Sequence, residues 1–179
     1  MKLFFFFILI ALFFGCSDTK SSKQKPANSE QFSCYFFFIS DCPASRNNLP
    51  KIEKLHQQYS ENVEFIGIVS DPYLDTSKLN NTLSEFNISF HVKSDTNLFI
   101  AKQHGASITP EVFLYNSNGD LIYSGSVDNY YFDLGKHRKQ ITENYLAQAI
   151  ASGISGNIVK VKRNEPIGCT INFDTKSEP

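Results

Sequence analysis

The sequence predicts an α/β domain in three layers, a central mixed sheet with flanking helices, and three observations carry that prediction. Two short, apolar runs, Cys34 to Ser40 and Val63 to Ser70, are separated by a stretch with helical spacing, the order of a parallel βαβ unit. Asn118-Gly119 stands between the apolar runs Glu111 to Tyr115 and Leu121 to Gly125, a hairpin signal that adds antiparallel strands. Helical patterns before and after these strands supply the covering layers.

Taken in order, residues 1–16 read as a targeting segment. Lys2 gives a positive start, and Leu3 to Phe14 form an unbroken apolar run too short to span a bilayer comfortably. The run ends in Phe13-Phe14-Gly15-Cys16, which resembles the lipobox of bacterial lipoproteins and implies that Cys16 is acylated; Phe13 and Phe14 depart from the Leu and small residue usual there. Stable anchoring takes more than one acyl chain. Residues 17–31 contain almost nothing that burial could stabilise, so they are expected to form a disordered tether with a reach of roughly 20 Å. Residues 32–173 then have the length of one domain, and 174–179 are expected to trail from it as a disordered tail.

Cys34 to Ser40 is aromatic and apolar throughout, as a central strand covered on both faces requires. Asp41-Cys42-Pro43 breaks it and opens a helix to about Tyr59, with Leu49, Ile52, Leu55 and Tyr59 at helical spacing and Pro50 expected to kink it. The strand Val63 to Ser70 follows, then a helix marked by Leu79, Leu83 and Phe86 and a short strand near Ile88 to Val92. Asn97 to His104 is expected to be a helix closed by Gly105, and Thr109-Pro110 precedes the hairpin. A helix over Lys136 to Ala151, with Ile141, Tyr145 and Ala149 on one face, is expected to complete the domain.

A formal net charge of −1 argues against nucleic acid as a partner, and Lys160, Lys162 and Arg163 read as a solvated edge. His56, His91, His104 and His137 show no metal-ligand spacing, so neither a metal nor another cofactor is predicted. Four cysteines remain to be placed. If Cys16 is lipidated, three thiols are left and at least one lacks an intramolecular partner. Cys34 and Cys42 are held apart by a strand rising about 3.3 Å per residue, beyond disulfide range. Cys34 reads as a small buried hydrophobe. Cys42, at a helix N-terminus, faces unpaired amides and the positive end of the helix dipole, which favours the thiolate and makes a nucleophile. Ser45 could donate a hydroxyl to it and Arg46 adds positive charge nearby; a half-buried structural cysteine is the alternative.

A central strand ending in Cys42-Pro43 at a helix start, with Thr109-Pro110 before a distant antiparallel hairpin, resembles the thioredoxin superfamily, closest to its redoxin branch of thiol-disulfide oxidoreductases and peroxiredoxins. Within it, Ser40-Asp41-Cys42-Pro43-Ala44-Ser45, Gly105 to Val112, Gly125 to Tyr130 and the late Gly168-Cys169 look like an exported group. The resemblance implies a thioredoxin-like sandwich and a cis Thr109-Pro110 bond beside Cys42 that offers backbone groups to an extended substrate. It also places Ser45 where a dithiol C-x-x-C motif has its second sulfur. A resolving thiol must come from elsewhere. Cys169, on the tail Asn157 to Phe173, is the best placed, with pairing to Cys34 or a free thiol as alternatives.

Three functions compete. Thiol-disulfide exchange would use Cys42 as the attacking thiolate and Cys169 as the resolving thiol, acting on an exported protein that bears a thiol or disulfide. A peroxidase of peroxiredoxin type lacks its upstream Thr, since Phe38 and Ser40 occupy that neighbourhood. A non-catalytic binding or assembly module would keep the fold without turnover. Copper-delivery relatives resemble a C-x-x-x-C pattern whose second cysteine is absent here. Asp128, Tyr130 and Arg138 are further residues that could line the Cys42 cleft, although polarity after a hairpin explains them equally well. The exported, membrane-anchored setting leaves the oligomeric state open.

Overall fold

The structure, a computed structural model, describes residues 31–174. The expectations for Cys16, the signal segment, most of the tether and most of the C-terminal tail lie outside the described residues. A five-stranded sheet with strand order β3-β2-β1-β5-β6 forms the middle layer. The central strand β1 (Phe32–Phe38) pairs in parallel with β2 (Val63–Val69), which pairs in parallel with β3 (His91–Ser94). Between β1 and β2 runs α1 (Pro43–Tyr59), and α2 (Thr76–Glu85) returns the chain to β3. Helix α1 continues through Pro50, whose missing N–H leaves the Arg46 carbonyl without its intrahelical donor. The sequence placed the third strand a little early; its paired residues begin at His91.

Alternation along β1 explains why its sequence is apolar throughout. Cys34, Phe36 and Phe38 face one core with Leu49 and Ile52 of α1, whereas Phe37 faces the other with Ile66, Ile68 and Phe113. Both faces are therefore dry, and a strand in that position has no polar side. The short helix α3 (Phe99–His104) follows, its end set by Gly105 at φ 73° as predicted. Next come β4 (Ile108–Thr109), β5 (Glu111–Tyr115) and β6 (Leu121–Gly125), the last two forming the predicted antiparallel hairpin.

The predicted helix over 136–151 is corrected at its start. Lys136 and His137 form β8, which pairs with β7 (Tyr131–Asp133) around Gly135 at φ 69°. Residues 142–143 are held by Asn129, whose Oδ1 accepts both amides at 3.1 and 3.2 Å. Helix α4 spans Tyr145–Ile154, with Leu146, Ala149 and Ile150 buried. Those backbone captures remove 136–144 from any helix that periodicity alone would extend.

After α4 the chain turns back over the domain. Residues 162–164 lie along the outer edge of β6: the Ser124 N–H donates to the Lys162 carbonyl at 3.0 Å, and the Asn164 N–H to the Ser124 carbonyl at 3.2 Å. Gly125 faces this strap, and any Cβ there would collide with Asn164. The opposite edge, β3, is short, with Lys93 exposed. The strap then crosses to β9 (Cys169–Thr170), which pairs antiparallel with β4.

Candidate redox site

Cys42 is the residue before α1. Its φ and ψ of −76° and 119° are extended, its N–H donates to the Ile39 carbonyl at 3.1 Å, and its own carbonyl accepts the Arg46 N–H that opens the helix at 3.0 Å. Pro43 has no N–H, so the amides of Ala44 and Ser45 are the donors at the head of the helix. A sulfur at this terminus experiences the positive end of the peptide dipoles. Cys42 is 3 % exposed.

Cys42 is joined to Cys169 by a disulfide, with Cα atoms 6.3 Å apart and 127 positions apart in sequence. Cys34 is a free thiol in β1, fully buried, and its burial pushes its pKa up strongly, so it has no nucleophilic character.

The Thr109-Pro110 peptide bond is cis. The Thr109 carbonyl oxygen lies 3.5 Å from Cys42 Sγ, a packing contact while the sulfur is in a disulfide and an acceptor for the thiol once it is reduced. Across the ladder, Thr109 is paired with Cys169 and Ile108 with Thr170; the Thr109 hydroxyl donates to the Cys169 carbonyl at 3.2 Å. Thr109 is thus bound to the two ends of the disulfide at once.

Two predicted neighbours of Cys42 have further partners. The Ser45 hydroxyl accepts the Ile39 N–H at 3.3 Å and is fully buried, so it braces the turn that carries Cys42. The Arg46 guanidinium reaches α2, donating to Thr82 at 2.9 Å and to both oxygens of Glu85 at 2.7 and 2.9 Å, and it lies over the Phe86 ring. Its charge is paired there with the Glu85 carboxylate.

Sequence reasoning missed Glu111 and Lys51. Glu111 follows the cis-proline, is 2 % exposed, and accepts the Ser107 N–H at 3.2 Å. Burial pushes its carboxyl up, against the opposing pull of the Ser107 and Ile108 amides and the Arg163 charge. A glutamate opening the otherwise apolar run Glu111 to Tyr115 was the available signal. Lys51 pairs with the buried Asp128 at 2.7 Å and sits over the Tyr130 ring. Asp128 also lines, with Asn48, Pro110, Val127, Tyr131 and Ile167, a small cavity of about 10 Å³ beside the cis-proline. Tyr130 stacks on His137, and Arg138 donates to the Asn129 carbonyl, so of the three further sequence candidates only Asp128 lines that cavity. A larger cleft of about 490 Å³, between Phe32, Leu121 and Ile158, lies at the start of β1, the opposite end of the sheet from Cys42.

Among the described residues, no three His, Cys, Asp or Glu side chains are grouped to hold a metal ion, and no helix is long and apolar enough to cross a membrane. The site thus has a cysteine after the central strand, at a helix start and against a cis-proline. The redoxin model matches residues 15–137. The chain belongs to the redoxin family. No curated protein is significantly similar to this redoxin. Solved structures share its thioredoxin-like fold at low identity. A hypothetical protein from Sinorhizobium meliloti has a TM-score of 0.74 at 21% identity, covering 83% of this chain and 82% of its own. An uncharacterized conserved protein from Geobacillus kaustophilus has 0.71 at 19%, covering 83% and 80%. A putative thiol:disulfide interchange protein from Chlorobium tepidum has 0.52 at 16%, covering 72% and 80%.

Proposed function

We propose that this redoxin is an exported, lipid-anchored thiol-disulfide oxidoreductase, in which Cys42 is the attacking thiolate and Cys169 the resolving thiol. The observation that carries this reading is the Cys42–Cys169 disulfide seated between the head of α1 and the cis Thr109-Pro110 loop. In the reduced state the Cys42 thiolate attacks a client disulfide, and the displaced client sulfur leaves as a thiolate and takes a proton from water. Cys169 then attacks Cys42 Sγ, releasing the client's second thiol and restoring the internal disulfide. Two electrons pass from the dithiol to the client. The cis-proline loop beside Cys42, whose Thr109 carbonyl lies 3.5 Å from Sγ, supports a client that lies along it as a peptide. The anchor rests on Lys2, the apolar run and Cys16, and places the reaction outside the cytoplasm.

The burial of Cys42 within the disulfide supports one competing reading, a permanent structural disulfide in a binding module. A redox titration separates the two. Exchange proteins of this kind lie between about −270 and −120 mV, whereas structural disulfides lie below about −300 mV. A midpoint in the upper range, with alkylation of the reduced Cys42 half-complete below a pH of about 8.5, is expected. A midpoint in the lower range would replace the enzyme reading with the structural one.

A further inference from the structure

The segment that carries Cys169 does more than deliver a sulfur. Strand β9 adds to β4 as an antiparallel strand, and its residues alternate as a bound peptide would: Cys169 faces the site, Thr170 is exposed, and Ile171 is 1 % exposed. Ile171 packs into the second core cluster with Phe37, Ile68, Leu98, Ala106 and Phe113, and its N–H donates to the Ser107 carbonyl at 2.9 Å. Gly168 runs so close to the Thr109 carbonyl that any Cβ would collide with it. Two of these contacts select a side chain: the Thr109 carbonyl on β4 leaves room only for glycine at 168, and the cluster of Phe37, Ile68, Leu98, Ala106 and Phe113 takes an aliphatic side chain at 171.

We infer that Gly168–Ile171 is an internal occupant of a peptide groove, and that the client strand which replaces it follows the same pattern: a glycine, the reacting cysteine, any residue, then a branched aliphatic. This rests on the exchange reading given above and adds the sequence class of its client. Backbone pairing with β4 supplies register, the Thr109 carbonyl excludes a side chain before the cysteine, and the Ile171 pocket selects the residue two positions after it. Because β9 and the client strand need the same edge, the client enters when the Cys42–Cys169 bond is open and β9 has left.

The test uses the full chain carrying Cys169→Ser, reduced, and the peptide Ile-Gly-Cys-Thr-Ile-Asn with its cysteine activated as a 2-pyridyl disulfide. Attack by Cys42 breaks the peptide's S–S bond, forms the mixed disulfide, and releases pyridine-2-thione, whose absorbance is followed; a Cys42→Ser/Cys169→Ser chain sets the background. The parent peptide is expected to react about tenfold faster than one with Val for the glycine or Ser for the second isoleucine, the size that loss of one buried aliphatic side chain supports. Adding Ile171→Asp, which undocks β9, should accelerate the parent peptide further. Equal rates for the three peptides, or no acceleration by Ile171→Asp, would overturn the groove. The small reagent 2,2′-dithiodipyridine separates the two levels: a Cys42 that ignores it as well defeats the exchange reading, whereas one that consumes it while treating all peptides alike defeats the groove alone.

Discussion

Thr109 and Cys169 face each other across an antiparallel ladder, and the same Thr109 whose hydroxyl binds the Cys169 carbonyl presents its own carbonyl to Cys42 Sγ at 3.5 Å. One residue therefore sets the position of both sulfurs. Reduction of the disulfide leaves this ladder as the force that keeps β9 near Cys42.

The disulfide should contribute substantially to stability. Closing a loop of 127 positions is worth about 4 to 5 kcal/mol in the chain-entropy model. Cys42→Ser and Cys169→Ser should each lower the denaturant midpoint and abolish the faster non-reducing gel mobility. Cys34→Ser should leave the mobility unchanged; its loss there would mean that Cys34 holds Cys169 instead.

Gly168→Val should loosen β9 without touching either cysteine. The added side chain meets the Thr109 carbonyl, and overpacking of this kind costs about 1 to 3 kcal/mol. Dithiothreitol should then reduce the disulfide several times faster than in the wild type. An unchanged rate would show that the β4–β9 ladder does not guard the bond.

Glu111 predicts a pH dependence whose sign is fixed by its raised pKa. A carboxyl that holds its proton more tightly when folded adds stability below its unfolded value, and that stability is lost as pH rises through the folded value. Glu111→Gln keeps an acceptor for the Ser107 N–H and removes the charge. It should raise the melting temperature at neutral pH and have little effect near pH 4, where the wild-type carboxyl is itself protonated. Destabilisation at neutral pH would show that the charge is wanted, for instance by Arg163.

Cys16→Ser should move the protein from the membrane to the soluble exported fraction, or leave it unprocessed. A wild type already soluble would remove the lipid anchor from the proposed function.

Much of the fold was legible because its elements are long and periodic. Phe36 to Phe38 could only be a central strand, and Asn118-Gly119 could hardly be anything but a hairpin turn. The 136–144 stretch was misread because its fate is decided by Asn129 and by pairing with Tyr131 and Asp133, contacts that leave no period in the sequence. Strand β9 was invisible for the same reason, being two residues long. At the site, the cysteine at the helix start and the Thr-Pro step were legible from residue type and order. The partners of Arg46 were not, because Thr82 and Glu85 come from a different helix and only the packed fold brings them within reach.

The strap along β6 also bears on self-association. An open sheet normally has two rows of unpaired backbone groups, each a template for ordered aggregation. Here residues 162–164 occupy one row, and the other belongs to a four-residue strand with an exposed Lys93, too short and too charged to recruit a second copy. Among the described residues both flanks of the main sheet are thus guarded, whereas the β4 edge is covered by β9 alone, so opening the disulfide bares it for reciprocal exchange of β9 between two molecules. Linked dimers held by Cys42 of one copy and Cys169 of the other are the form such an exchange would take.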